Sequence, residues 1–219
     1  MISVAIDGPA GVGKSTVSKK LAEKLGWNCL DTGALYRAIA VACQRKGVDI
    51  NNQAEVAEIL KDIDISIKFV DGIQHTYLND EDVTTYLRTK EIDMYSSISS
   101  AYPEVRASIL ELQRKKAKEH NLVVEGRDIT SNVLKESKNK FYLDASVEVR
   151  AKRRYDERIA RGEQIDFEEV LKELIQRDHN DMTRKIAPLV KTKDAIIVDT
   201  TNMTIDQVVD YMYSRVKMD

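Results

Sequence analysis

Residues that build disulfide or metal scaffolds are scarce in this chain. The 219 residues include two cysteines, Cys29 and Cys43, in no CxxC pair, and three scattered histidines, His75, His120 and His179. A zinc site is therefore not expected, and both thiols read as reduced packing groups of a cytoplasmic protein. Only 3 prolines and 9 glycines occur beside 42% hydrophobic and 32% charged residues, which excludes disordered and fibrous chains. No apolar run approaches the roughly 20 residues of a membrane helix, so no membrane partner is expected. Met1 leads directly into the apolar segment 2–6 with no basic leader before it. Charge of one sign is also lacking: 34 Lys+Arg face 36 Asp+Glu, a net of −2. A nucleic-acid polymer is then not the expected partner, although local basic patches remain open.

What is present alternates between strand and helix. Residues 2–6 form an apolar strand that runs into a glycine-rich turn, and Val17, Leu21 and Leu25 then recur at helical spacing until Gly26. A second helix is expected over 34–46. Ile63, Ile65 and Ile67 alternate with polar residues, and Asp71-Gly72 marks a hairpin turn before Thr76–Leu78. This hairpin interrupts the alternation, so residues 62–95 read as an inserted subdomain. Helices are expected over 104–118, 147–161, 167–184 and 204–217, with buried strands at 122–124 and 141–143 and a last strand at 195–198. The fold class expected is α/β: one domain over 1–219, read as a monomer, with a parallel sheet covered by helices on both faces.

Gly8-Pro9-Ala10-Gly11-Val12-Gly13-Lys14-Ser15 satisfies GxxxxGK[ST] between a strand and a helix, and Thr16 follows. Glycines let successive N–H groups turn toward phosphate oxygens, and the helix N-terminus adds a favourable dipole. Lys14 can bridge the leaving and transferring phosphates, and the Ser15 hydroxyl can ligate magnesium. The chain is expected to bind a nucleoside triphosphate. A guanine-reading NKxD is missing, since Asn139-Lys140 is followed by Phe141-Tyr142. Val123-Val124-Glu125 is only a partial match to the metal-binding acidic strand of motor ATPases.

The arginines need a separate account. In the helix 147–161, Val147, Ala151, Tyr155 and Ile159 define the expected buried stripe, leaving Arg150, Arg153, Arg154, Arg158 and Arg161 on the other surface. A solvated face is the plain alternative, but arginine's planar fork suits phosphate, and a lid over residues 150–166 is favoured. Further on, Val170, Leu174, Arg177, Asp181 and Arg184 step by four, three, four and three residues. The charged members thus continue a core-facing stripe, which is costly unless they pair or meet a ligand. Asp31–Arg37 and Gly126-Arg127-Asp128 add charged clusters near strand ends, where open parallel sheets bind ligands.

With these residues in view, the chain resembles the bacterial-type cytidylate (CMP/dCMP) kinase family along almost its full length. The resemblance lies in DGPAGVGKST at 7–16, DTGALYR at 31–37, LNDEDVTTYLRTKE at 78–91, GRDI at 126–129, RDHNDMTRKIAPL at 177–189 and DAIIVDTT at 194–201. It implies a nucleoside monophosphate kinase fold, with a small mixed α/β acceptor-binding insert and a helical lid. It also implies ATP as phosphoryl donor, Mg2+ as the metal, and CMP or dCMP as acceptor. Position by position, it gives Arg37 and Arg127 to the acceptor phosphate. Ser97, Arg106, Asp128 and Arg184, with Thr32 nearby, go to the cytosine, and Arg177 and Asp181 to the sugar. Lys14, Arg153 and Asp128 become the catalytic candidates, with Arg153 approaching the phosphates of ATP. The chain departs from the family pattern at Thr130-Ser131-Asn132-Val133, where Gly-Thr-Val-Val is usual, and at Glu125 in place of aspartate. Two rivals stay open: a kinase of another small acceptor such as UMP or AMP, and a nucleotide-sensing regulatory module without an acceptor.

Overall fold

The computed structural model describes residues 1–218; the last residue of the expected 1–219 domain, Asp219, lies outside the described residues. Five strands, β1 (Ser3–Asp7), β2 (Asn28–Asp31), β6 (Leu122–Glu125), β7 (Asn139–Asp144) and β8 (Ile196–Asp199), form a sheet in the order β2-β6-β1-β7-β8. Every neighbouring pair is parallel. Parallel strands need crossovers, and the helices α1 (Lys14–Leu25), α2 (Thr32–Lys46), α5 (Pro103–Glu119), α6 (Val147–Ala160), α7 (Phe167–Thr183) and α8 (Ile205–Tyr213) occur in them or after the last strand.

Alternation along the strands divides the core. Ala5, Leu122 and Val124 pack with Leu35 and Ile39 of α2 and Ile109 of α5. Val4, Ile6 and Val123 pack on the other side with Val17 and Leu21 of α1 and Met212 of α8. Both sheet faces are thus covered, as the apolar runs imply.

The segment 62–95 carries β3 (Ile65–Val70), β4 (Ile73–Leu78) and β5 (Glu81–Asp82), an antiparallel sheet in that order. Val70 pairs with Ile73, so Asp71 and Gly72 alone make the turn, both with positive φ (50° and 76°) as a two-residue hairpin requires. Three elements lie outside the sequence expectations. The short β2 has only four residues, α3 (Gln53–Ile59) has seven, and α4 (Lys90–Ser99) runs past residue 95. Ile92 of α4 is buried in the core beside α2, while the antiparallel sheet meets the main body through β4, which lies against α2 and β2.

The last helix is shorter than the expected 204–217. The Arg215 guanidinium turns back onto the Tyr211 carbonyl and ring, and Lys217 N–H donates to Asn139 Oδ1 at 2.7 Å, drawing the chain back onto β7. Among the described residues no helix is long and apolar enough to cross a membrane.

All five parallel strands end in a carboxylate: Asp7, Asp31, Glu125, Asp144 and Asp199. That carboxyl rim is where ligands bind open parallel sheets.

Candidate active site

Two of these carboxylates, Asp31 and Glu125, line a cavity of about 640 Å³ together with the loop after β1. Gly8 passes so close to β7 that a Cβ there would lie 2.3 Å from the Leu143 carbonyl oxygen. Gly13 adopts φ +90°, and no side chain caps the α1 N-terminus behind it. The first N–H groups of α1 therefore stay available to an anion. Lys14 Nζ donates to the carbonyls of Gly8 (2.7 Å) and Pro9 (2.8 Å), which serve the lysine rather than the cavity wall. Burial first, then repulsion from Arg127, pushes the Lys14 ammonium well below the ordinary lysine range. Ala10, Gly11, Val12, Gly13, Ser15 and Thr16 all line the cavity.

The loop is braced from outside by residues the sequence expectations missed. Ala10 N–H donates to Asp178 Oδ1 at 2.9 Å, and Arg150 Nη1 donates to the Ala10 carbonyl at 2.8 Å and to Asp178 Oδ2 at 2.5 Å. This corrects the expected division of α6. Arg150 and Arg158 are buried, whereas Ile159 is 43% exposed. Buried arginines persist where carbonyls and carboxylates satisfy the fork; Arg158 is met by Glu163 and Glu173. Only Arg153, Arg154 and Arg161 of that set face the cavity. Arg153 is held by Thr200, at 2.8 Å to its carbonyl.

Ser15 Oγ donates to the buried Glu125 carboxylate at 2.5 Å. Burial, then the neighbouring Asp31, raises the Glu125 pKa. The substitution of glutamate for aspartate thus falls inside the site. Among the described residues no cluster of three or more His, Cys, Asp or Glu could hold a metal alone. Two adjacent hard oxygen donors instead fit Mg2+, which usually takes few protein ligands and completes its shell from water and phosphate.

Across the cavity the sequence-expected arginines converge. Arg37 Nε donates to Asp93 Oδ1 at 2.8 Å, and Arg154 reaches Asp93 Oδ2 at 3.3 Å. Asp93, on α4, was not anticipated. Arg127 Nε donates to Asp181 Oδ2 at 2.9 Å, and Arg184 lies 3.6 Å from Asp181 Oδ1. Burial alone would raise Asp181, but Arg127, Arg177 and Arg184 together hold it below the usual carboxylate range. Asp128 pairs with Arg106 at 2.5 Å and stands 3.7 Å from Arg184. Ser97 lines the same wall. Thr32 is buried with its hydroxyl donated to the Glu125 carbonyl, so it shapes the wall through the backbone.

Arg177 differs from the others. Its Nε, like that of Arg106, is buried without a hydrogen-bond partner, but Arg106 pairs with Asp128 whereas Arg177 has no carboxylate within ion-pair distance among the described residues. Burial, then repulsion from Arg127, pushes the guanidinium down to about 10. A buried cation left so poorly compensated is costly, and an anion in the cavity would relieve it.

Thr130 takes no positive φ, and its hydroxyl donates to Asp7 Oδ2 at 2.6 Å. Asp7 also accepts from Ile129 N–H and Thr130 N–H, both at 2.8 Å, anchoring the turn that carries Asp128. The signal available for Asp7 and Glu125 was the acidic residue closing each parallel strand; Arg150 and Asp178 had no comparable local signal.

The cytidylate kinase family model matches residues 4–218. A cytidylate kinase of Caldicellulosiruptor saccharolyticus is 45% identical over 207 residues, covering 94% of this chain and 92% of its own. One from Citrifermentans bemidjiense is 43% identical over 216 residues, covering 99% and 93%. Among solved structures, an uncharacterized protein from Eubacterium ventriosum superposes with a TM-score of 0.54 at 15% identity, each chain fully covered. That last likeness speaks for the fold alone.

Proposed function

The chain belongs to the cytidylate kinase family, and from that premise we propose that it transfers the γ-phosphoryl group of ATP to CMP or dCMP. The γ-phosphorus exchanges its bond to the β-phosphate oxygen for one to an acceptor phosphate oxygen, releasing ADP and CDP or dCDP. The acceptor is already an anionic phosphate, so no strong side-chain base is needed. Catalysis is alignment plus charge neutralisation.

On this reading the loop 8–16 holds the ATP phosphates, and Lys14 leaves its loop carbonyls to contact them. Ser15, beside Glu125, would hold Mg2+ together with phosphate oxygens. When bound, that ion supplies Lewis-acid neutralisation of the transferring group. Arg37 and Arg127 take the acceptor phosphate, and Arg177 and Asp181 its sugar. Ser97, Arg106, Asp128 and Arg184 read the base, with Thr32 supporting the wall. Arg153 exchanges Thr200 for nucleotide phosphate as the lid, residues 150–166, closes and excludes water. Residues 62–95 serve as the acceptor-binding insert.

The observation that carries this reading is the buried, unpartnered Arg177 Nε beside Arg127 in a cavity shared with the phosphate loop. A triphosphate sensor needs no second anion site. The test is ADP release from Mg-ATP with CMP, dCMP, UMP, AMP or no acceptor. Turnover confined to CMP and dCMP is expected. Equal turnover without acceptor, or turnover favouring AMP, would overturn it.

A further inference from the structure

The two oxygens of the Asp128 carboxylate have unequal surroundings. Oδ2 is engaged twice, by Arg106 Nη2 at 2.5 Å and by Asn132 Nδ2, which donates at 2.9 Å. Oδ1 has Arg184 Nη2 at 3.7 Å, beyond hydrogen-bond distance. Asp128 is buried and lines the cavity, so Oδ1 is the oxygen with lone pairs to offer a ligand.

Asn132 reaches Asp128 because residues 129–133 form a single π-helical turn. Asn132 N–H donates to the Asp128 carbonyl at 2.9 Å, which brings the two side chains to the same side. Both ends of the turn are fastened. Asp7 accepts from Ile129, Thr130 and the Thr130 hydroxyl at one end, and Arg114 donates to the carbonyls of Asn132 (3.0 Å) and Val133 (3.3 Å) at the other. The amide is thus delivered by a turn with little freedom to swing.

We propose that Asn132 is a positioning residue for acceptor selection. Its amide, with Arg106, saturates Oδ2 and turns the carboxylate so that Oδ1 alone is presented to the acceptor base. A lone carboxylate oxygen matches an exocyclic amino group, which donates to it. A base with a carbonyl at that position sets acceptor against acceptor and leaves both unpaired. Asn132 does not touch the base; it decides which atom of Asp128 does. The proposal rests on the CMP kinase reading above.

The experiment compares wild type with Asn132→Val and Asn132→Asp. Steady-state constants for CMP, UMP and ATP are measured alongside thermal melting. Val, the residue usual in the family at this position, removes the donor while Thr130 and Arg114 still hold this chain's own turn; Asp keeps the shape but sets a second carboxylate against the first. Loss of one hydrogen bond predicts that Asn132→Val raises the CMP KM about five- to tenfold. The CMP:UMP ratio of kcat/KM falls by a similar factor, while the ATP KM and kcat stay within about twofold. Asn132→Asp shifts further in the same direction, and Asn132→Gln, which keeps an amide, recovers part of the ratio. Unchanged CMP KM and CMP:UMP ratio in an enzyme that uses CMP would overturn the proposal alone. So would CMP and ATP constants that worsen together with the melting temperature, the mark of a merely structural role. Wild-type enzyme that ignores CMP overturns the underlying reading and the proposal with it.

Discussion

The two halves of the cavity are built on opposite principles. The loop half is contiguous in sequence: Lys14 is held by the carbonyls of its own loop, and only the Ala10 peptide is clamped from outside, on both sides, by the Arg150–Asp178 pair. The arginine half is assembled from α2, α4, α5, α7 and the turn after β6, and its charges are balanced pair by pair. Arg106 and Arg177 each keep an unsatisfied Nε, and of the two Arg177 alone has no ion pair among the described residues. The local motif keeps uncapped backbone N–H groups for a ligand, whereas the long-range cluster keeps an excess charge that a ligand must complete.

The sharpest break in this contrast is Lys14→Ala. It removes the loop's only side-chain cation and should cost about 2–4 kcal/mol of transition-state stabilisation, seen as a fall of about one and a half to three orders of magnitude in kcat/KM. Denaturant unfolding should show a separate, smaller loss, because the Gly8 and Pro9 carbonyls that lose their partner are buried.

The largest effect on stability rather than on activity is expected of Asp178→Ala, which leaves Arg150 buried beside an unbraced loop. Removing one partner of a buried pair costs about 3–5 kcal/mol, and denaturant unfolding should show a loss of that order. The ATP KM should rise more than the CMP KM.

Arg177→Met is expected to run the other way and sharpens the contrast most. Removing an undercompensated buried charge should stabilise the fold by about 1 kcal/mol, or roughly 2–4 °C in Tm. CMP turnover should fall at the same time. A variant that loses stability instead would mean that Arg177 is structurally satisfied.

The same division explains how much could be read from the sequence. The strand, loop and α1 are contiguous, and the hairpin announces itself through Asp71-Gly72, so periodicity and turn chemistry suffice for them. Arg177, Asp181 and Arg184 were legible because Val170 and Leu174 mark the face they continue. Arg150 and Arg158 were not, since helical periodicity assigns arginine to solvent and cannot see the carboxylates and carbonyls that meet it. Asp178 directly follows Arg177 within the span of that stripe but is not one of its members, and its partners lie in other elements. Asp93 belongs to α4, a helix with few strongly apolar positions, and its partners Arg37 and Arg154 are 56 and 61 residues away. Thr130 drew notice as a departure from the family pattern, but the bond from its hydroxyl to Asp7 spans 123 residues and needed the fold to reveal it.

The central claim is that the cavity holds two ligands, with Asp128 serving only the acceptor. The most direct test is to measure CMP and ATP kinetics for Asp128→Asn side by side. The account predicts that kcat/KM for CMP falls by about two orders of magnitude, as expected when a buried polar reader is mismatched, while the ATP KM stays within about twofold. Loss of ATP affinity with CMP affinity retained would reverse the two halves and contradict it.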